Sequence, residues 1–150
     1  MDELVLEKKI DSILRCMNRI ESRIPLKREQ FKQDLDAQDV VVLNLTRIIQ
    51  LCVDIAMHVI AQTNIDAPQT MSQSFSKLER LDIIDKKLAD KLKKSVGFRN
   101  IAVHNYDELD LDLTFDIASK HIDDFRNFIK LITAFNFQPG KPGTPGNRFV

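Results

Sequence analysis

One short stretch, RNIAVHNY at residues 99–106, holds three side chains that could act on a phosphate group. His104 can move protons at physiological pH. The Arg99 guanidinium can hold a phosphate by a two-pronged contact and offset negative charge as it builds up. Tyr106, the single tyrosine of the chain, can donate a hydrogen bond or receive a covalent group. This set suits metal-independent cleavage of RNA, in which a ribose 2′-hydroxyl attacks the neighbouring phosphate.

The spacing of these residues constrains how they could meet. In a continuous helix Arg99 and Tyr106 share one face, whereas Asn100 and His104 share another. The offset of five residues places Arg99 and His104 about 140° apart around the helix. Either the helix ends or distorts before His104, or a second copy of the chain brings its own motif opposite, which predicts a homodimer. The competing interpretation is an ordinary helix end, with Tyr106 packed, His104 capping carbonyls and Arg99 in solvent.

The residues before this motif form the one concentrated basic segment of the chain. Five lysines between residues 86 and 94 precede Arg99 and are opposed only by Asp85 and Asp90. The whole chain has no net charge, with 22 acidic and 22 basic residues, so any contact with RNA needs a local basic patch. We therefore expect Lys91 and Lys94 to contact the RNA backbone. The alternative is a lysine-rich helix face that is merely solvated.

Neither a metal nor a cofactor is expected. The acidic residues of DELDLDLT, residues 107–114, alternate with leucines, which indicates a connection with leucines inward rather than a metal site. His58 and His121 have no second ligand at metal-binding spacing. No glycine-rich phosphate loop is present. Cys16 and Cys52 stand on apolar stretches and are predicted to be buried thiols.

The elements that must position the motif are predicted to be helices. With 4 glycines and 5 prolines, most of them near the C-terminus, the chain favours long helices. We predict an all-α, up-and-down bundle of four to five helices in a domain at residues 1–137, followed by a flexible Pro/Gly-rich tail at 138–150. The predicted helices are about 2–23, 40–62, a short one capped by Ser72, 85–105, and a final one capped by Thr114.

The helix at 40–62 is apolar nearly all round, apart from one polar stripe. Its members lie within an arc of about 80° and are Asn44, Arg47, Asp54 and His58. They could make buried hydrogen bonds, line a subunit interface or line a cleft. The charges within the helix argue against a membrane span. The charged N-terminus lacks a signal-peptide core, so a cytoplasmic protein is expected.

The complete RNIAVHNY motif, on the penultimate long helix of an all-α chain of this length, resembles the HEPN superfamily and most closely the HepT-like toxins. The resemblance runs from the first helix to about Phe137. It implies a homodimeric ribonuclease in which Arg99 and His104 are catalytic. It also implies a partner, a minimal nucleotidyltransferase antitoxin of the MntA type, which transfers AMP to Tyr106. Asn100 is added as a supporting residue because it shares the face of His104. The alternative is a non-catalytic HEPN module that scaffolds such a nucleotidyltransferase or presents substrate to it.

Overall fold

The computed structural model describes residues 3–136, and these residues form seven α-helices and no strand. The all-α prediction is therefore confirmed. The predicted tail at 138–150 lies outside the described residues. The helices are α1 (Glu3–Arg23), α2 (Arg28–Gln33), α3 (Leu35–Ala61), α4 (Met71–Arg80), α5 (Lys86–His104), α6 (Leu111–Lys120) and α7 (Ile122–Asn136), with a 3₁₀ turn (Tyr106–Glu108) between α5 and α6.

Helix α3 is the centre of the bundle, because every other helix packs against it or against a helix that does. It begins at Leu35, earlier than the predicted residue 40, since the Asp34 carboxylate caps it by accepting from the Ala37 N–H at 3.0 Å. Its partners in the core include three fully buried aromatic rings from α2, α4 and α7: Phe31, Phe75 and Phe128. Burying each such side chain stabilises the fold by roughly 1.5–3 kcal/mol.

By length and composition α3 could also cross a membrane. In the bundle, however, 56% of its most apolar window is buried by the other helices. The central helix of a helical core passes the same test, because it is apolar nearly all round.

The C-terminal part of the chain departs from the single predicted helix capped by Thr114. Asp110 caps α6 instead, accepting from the N–H groups of Asp112 and Leu113 at 2.9 and 3.1 Å. Thr114 is buried inside α6, where its hydroxyl donates to the Asp110 carbonyl at 2.8 Å. The helix then ends at Lys120 and α7 begins at Ile122. This break, together with α2, gives more elements than the four or five predicted.

Two smaller predictions about local structure also fail. Thr70 rather than Ser72 caps α4, accepting from the Gln73 N–H at 3.1 Å. The inward–outward alternation predicted for the leucines of residues 107–114 breaks down at Leu113, which is 46% exposed. The reason is that α6 already begins at Leu111. Side chains there follow the 3.6-residue repeat of a helix and do not alternate between two faces.

Helix α2 ties α6 to the bundle. The Arg28 guanidinium donates to Asp116 at 2.6 Å and to Asp112 at 3.3 Å, and it lies 5.1 Å from the centre of the Phe115 ring. The Arg28 guanidinium also lowers the pKa of the Asp116 carboxyl. These contacts fix the start of α6, and with it the connection at 105–110 that leads away from α5.

Candidate functional site

Helix α5 carries the motif and stays helical to its end at His104. The Asn105 N–H still donates to the Ile101 carbonyl at 2.8 Å, and Asn105 then leaves the helix with φ −144° and ψ 57°. Of the two arrangements considered from the sequence, the one in which the helix ends or distorts before His104 is therefore wrong. Arg99 and His104 remain about 140° apart around one helix, so the helix itself does not bring them to one side.

Arg99 is half-buried, and its guanidinium is not committed to a carboxylate anywhere in residues 3–136. Its Nη1 donates to the Asn100 side-chain oxygen at 3.3 Å, the one contact that supports a role for Asn100. Its Nε is buried and has no hydrogen-bond acceptor among the described residues. Leaving such a donor unpaired costs roughly 1–3 kcal/mol. Because no described carboxylate pairs with the guanidinium, its remaining Nη donors are free for a phosphate.

His104 is exposed at the last position of α5. Next to it on the helix surface lie two apolar side chains, Ile101 at 42% and Val103 at 49% exposure. By helix geometry Val103 lies between Arg99 and His104. The motif is thus part of an open surface that combines apolar and basic groups.

Tyr106 stands in the 3₁₀ turn after α5, and its hydroxyl donates to the Asp39 carboxylate of α3 at 2.5 Å. Partial burial, the Asp39 hydrogen bond and the charges of Asp39 and Asp107 raise the pKa of Tyr106 to about 12. The phenol therefore keeps its proton at neutral pH. Sequence analysis missed Asp39, because it lies 67 residues from Tyr106 and no local spacing connects the two.

Three of the five lysines before the motif are paired with carboxylates. Lys86 and Lys93 pair with Asp90 at 2.9 and 3.7 Å, and Lys91 pairs with Asp124 at 3.3 Å. Lys94 is exposed and has no ion pair with a described residue. Of the two lysines expected on the RNA backbone, the structure thus leaves only Lys94 uncompensated.

Lys91 and Lys94 line a groove of about 610 Å³ between α5, α6 and α7. Its walls are mainly apolar and include Phe98, Leu113 and Phe125. This lining differs from the polar and basic lining that a phosphate track requires.

The polar stripe predicted on α3 separates into unrelated contacts. Asn44 is buried and donates to the Val40 carbonyl at 2.8 Å, while its side-chain oxygen has no partner among the described residues. His58 contacts Gln62 at 2.8 Å, and Asp54 lies 3.7 Å from Lys9. Arg47 lines a concave surface of about 490 Å³ between α1 and α3.

The cysteines and the remaining histidine have structural surroundings. Cys16 and Cys52 are buried free thiols, as predicted, and burial raises the pKa of both. His121 lies 3.5 Å from Asp124. Within residues 3–136 no three side chains of His, Cys, Asp or Glu come together as metal ligands.

Comparison with known proteins identifies the family. The model of the family HepT-like, described as "Ribonuclease HepT-like", matches residues 13–132. The chain belongs to the HepT-like ribonuclease family. The mRNA nuclease HepT of Shewanella oneidensis is 42% identical over 134 residues, which cover 89% of this chain and 99% of the relative. The tRNA nuclease HepT of Aphanizomenon flos-aquae is 21% identical over 135 residues, covering 90% and 92%.

A solved structure of a HepT-like relative shows the same fold. The tri-AMPylated Shewanella oneidensis HEPN toxin in complex with its MNT antitoxin superimposes with a TM-score of 0.82 and 42% identity, covering 89% of this chain and 99% of that one. The resemblance to the HEPN superfamily is therefore confirmed. In that relative the toxin carries AMP groups and is bound to an antitoxin.

Proposed function

We propose that this HepT-like chain is the toxin of a toxin–antitoxin pair and a metal-independent endoribonuclease acting in the cytoplasm. The observation that carries the proposal is the complete Arg99–His104–Tyr106 set at the exposed end of α5, in a chain 42% identical to an mRNA nuclease. In this proposal Arg99 and His104 are catalytic, and Asn100 supports the Arg99 guanidinium through its 3.3 Å contact.

The proposed cleavage needs only groups of the protein and the RNA. The 2′-oxygen bonds to phosphorus while the bond from phosphorus to the 5′-oxygen breaks. His104 takes the proton of the 2′-hydroxyl, and a second proton reaches the departing 5′-oxygen. Arg99 stabilises the negative charge on the crowded phosphorus centre. DNA lacks the 2′-hydroxyl and is not a substrate for this reaction.

A homodimer would complete this site. Arg99 and His104 diverge around α5, so the complementary group at each active centre would come from a second copy of the chain. The exposed side chains of Ile101 and Val103 support this arrangement, because a partner subunit would bury them beside the motif.

The proposed antitoxin is a minimal nucleotidyltransferase of the MntA type that transfers AMP from ATP to Tyr106. The tyrosine oxygen bonds to the α-phosphorus of ATP, and pyrophosphate leaves. The phenolic proton passes to the Asp39 carboxylate, which already accepts a hydrogen bond from the hydroxyl at 2.5 Å. The attached adenylate would lie near Arg99, where its negative charge would occupy the phosphate site and repel RNA.

The first experiment is expression of the wild-type chain and of the Arg99→Ala/His104→Ala variant alone in a bacterial host, following growth and total RNA integrity. Growth arrest and RNA degradation with the wild type only are expected. If neither chain affects growth or RNA, the chain is instead a non-catalytic module that binds the nucleotidyltransferase. Cleavage by the purified wild type should also withstand EDTA, and loss of activity with EDTA would contradict the metal-independent mechanism.

The role of Tyr106 is tested separately, with labelled ATP and the nucleotidyltransferase. Tyr106→Phe should accept no AMP, and labelling of this variant would place the acceptor elsewhere. Asp39→Asn should bring the pKa of Tyr106 down from about 12 towards its ordinary value of 10.0. Ultraviolet titration can measure this directly, because the chain has one tyrosine and no tryptophan.

A further inference from the structure

Three arginines from two helices surround the concave surface between α1 and α3. Arg15 and Arg19 are one turn apart on α1, and Arg47 lies opposite them on α3. The rest of the lining consists of Ser12, Cys16, Gln50 and Leu51. Burial raises the pKa of the Cys16 thiol, and the charges of all three arginines oppose that shift. We call Arg15, Arg19 and Arg47 the arginine cluster.

No carboxylate neutralises the arginine cluster within the part of the chain that the structure describes. No acidic residue lines the concave surface, and none of the three arginines forms an ion pair with any of residues 3–136. Among the described residues, the one hydrogen bond of their side chains runs from the Arg15 Nη2 to the Ser12 hydroxyl at 3.0 Å. Three like charges held together without a counter-charge repel one another and favour a bound anion.

Helix α3 connects the arginine cluster to Tyr106 of the motif. Arg47 follows Asp39 by eight residues, which is a rise of about 12 Å along the helix axis. Asp39 in turn holds the Tyr106 hydroxyl. A few nucleotides can span a rise of this length, since the phosphates of one nucleic-acid strand follow one another about every 3.4 Å along the axis of a duplex.

We propose that the arginine cluster is a second phosphate-binding site, which holds the RNA backbone a few nucleotides from the bond that is cut. This inference rests on the proposed ribonuclease function and assigns part of its substrate binding to α1 and α3. Arginine suits the task because its planar fork of N–H donors matches two oxygens of a phosphate. The Ser12 hydroxyl accepts from Arg15, and the Gln50 amide nitrogen donates to Asp54 at 2.9 Å. The Ser12 O–H and the Gln50 side-chain oxygen remain to meet a ribose.

The test compares RNA binding by two variants with equal loss of charge. Both are made in a His104→Ala parent, so that the RNA is not cut. One carries Arg19→Ala/Arg47→Ala, and the control carries Arg80→Ala/Lys130→Ala, two exposed cations of α4 and α7. Binding of a labelled single-stranded RNA oligonucleotide is followed by fluorescence anisotropy at several salt concentrations. Circular dichroism checks the helical fold, and light scattering checks the oligomeric state.

The arginine variant should bind roughly tenfold more weakly than the parent, and the control variant should bind within about twofold of it. The slope of log affinity against log salt is negative and should become less steep by about 1.4, because each lost phosphate contact with a single strand reduces its magnitude by about 0.7. The expected fold and oligomeric state are unchanged, since Arg19 and Arg47 are exposed.

Three results would overturn the inference. Equal affinities of the two variants would show that the arginine cluster does not touch RNA. Unchanged RNA affinity with a lost dimer, or with lost co-purification of the nucleotidyltransferase, would make the arginine cluster a protein-docking surface. In both cases cleavage by the wild-type chain would leave the ribonuclease proposal standing. If the parent binds no RNA and the wild type cuts none, the ribonuclease proposal fails and the inference fails with it.

Discussion

Two basic regions of the described part of the chain differ in how many of their charges are paired with carboxylates. The five lysines of α5, residues 86–94, are the most basic segment of the sequence, yet Lys86, Lys91 and Lys93 each pair with an aspartate. The arginine cluster is inconspicuous in the sequence, yet none of its members pairs with a carboxylate among residues 3–136. Charge counted along a sequence therefore differs from the charge that a surface offers to RNA, because an ion pair removes most of the field.

The two regions also differ in chemistry and in their neighbours. The lysines of α5 adjoin an apolar groove, and each lysine is a flexible point charge. The arginines adjoin Ser12 and Gln50, and each arginine can make a two-pronged contact with phosphate. We therefore expect the arginine cluster to contribute more to RNA binding than the lysines.

The largest expected effect comes from reversing charge in each region. Arg19→Glu/Arg47→Glu should weaken RNA binding on the order of a hundredfold, because a phosphate would then meet carboxylates in place of guanidiniums. Lys86→Glu/Lys93→Glu should change the affinity by less than about threefold, because both lysines already contact Asp90 and neither is free to hold a phosphate. Anisotropy in the His104→Ala parent measures both. The opposite order of effects would assign RNA binding to the lysines of α5.

A smaller effect is expected from Arg47→Lys, which keeps the positive charge but loses the paired N–H donors of the guanidinium. Arg47→Lys should weaken RNA binding by roughly threefold while the salt slope stays near that of the parent, because the number of charges is unchanged. The same titration with Arg47→Ala is the control and should lower the slope. Equal affinity of Arg47→Lys and the parent would show that charge alone matters there.

Removing the Asp90 carboxylate, which pairs with two lysines, should strengthen RNA binding by the lysines of α5. Asp90→Asn frees Lys86 and Lys93 and should raise RNA affinity by about twofold. The Lys86 hydrogen bond lowers the pKa of Asp90 below its ordinary value of 3.8, so the carboxylate is ionised throughout pH 5–8. The gain should therefore be the same across that range, and a gain confined to one end of it would implicate another group.

Asp90 should also affect how the stability of the fold depends on pH. Folding lowers the pKa of Asp90. The carboxylate therefore stabilises the fold at pH values above its pKa in the unfolded state, and this contribution is lost as the pH falls through its pKa in the folded state. Urea midpoints of the wild type and Asp90→Asn should therefore differ slightly at pH 7 and converge in acid. A difference that persists at low pH would point to packing rather than charge.

The smallest expected effect is that of the arginine cluster on the thermal stability of the protein. Arg19→Ala/Arg47→Ala should raise Tm by about 1 °C, because relieving like-charge repulsion gives a few tenths of a kcal/mol. Differential scanning calorimetry measures this, with Arg80→Ala/Lys130→Ala as the control. A Tm several degrees lower would mean that these arginines hold α1 against α3.

Local signals predicted much of the fold. The apolar spacing of three and four residues predicted α1, which ends at Arg23 as expected. The helix predicted at about 85–105 is α5, found at Lys86–His104. The break between α6 and α7 was missed, because both Asp110 and Thr114 are good caps and only the tertiary environment selects between them. Thr114 is buried inside α6, where its hydroxyl donates to the Asp110 carbonyl.

The amino-acid sequence by itself determined the all-helical fold, the family and the three motif residues, because helix periodicity and the spacing RNIAVHNY are properties of neighbouring positions. Only the tertiary structure decided which charges are free, which carboxylate holds Tyr106 and which arginines gather beside α3. The reason is distance along the chain. Asp39 meets Tyr106, and Arg47 meets Arg15 and Arg19, only after the helices pack, and Coulomb forces depend on that final separation rather than on sequence position.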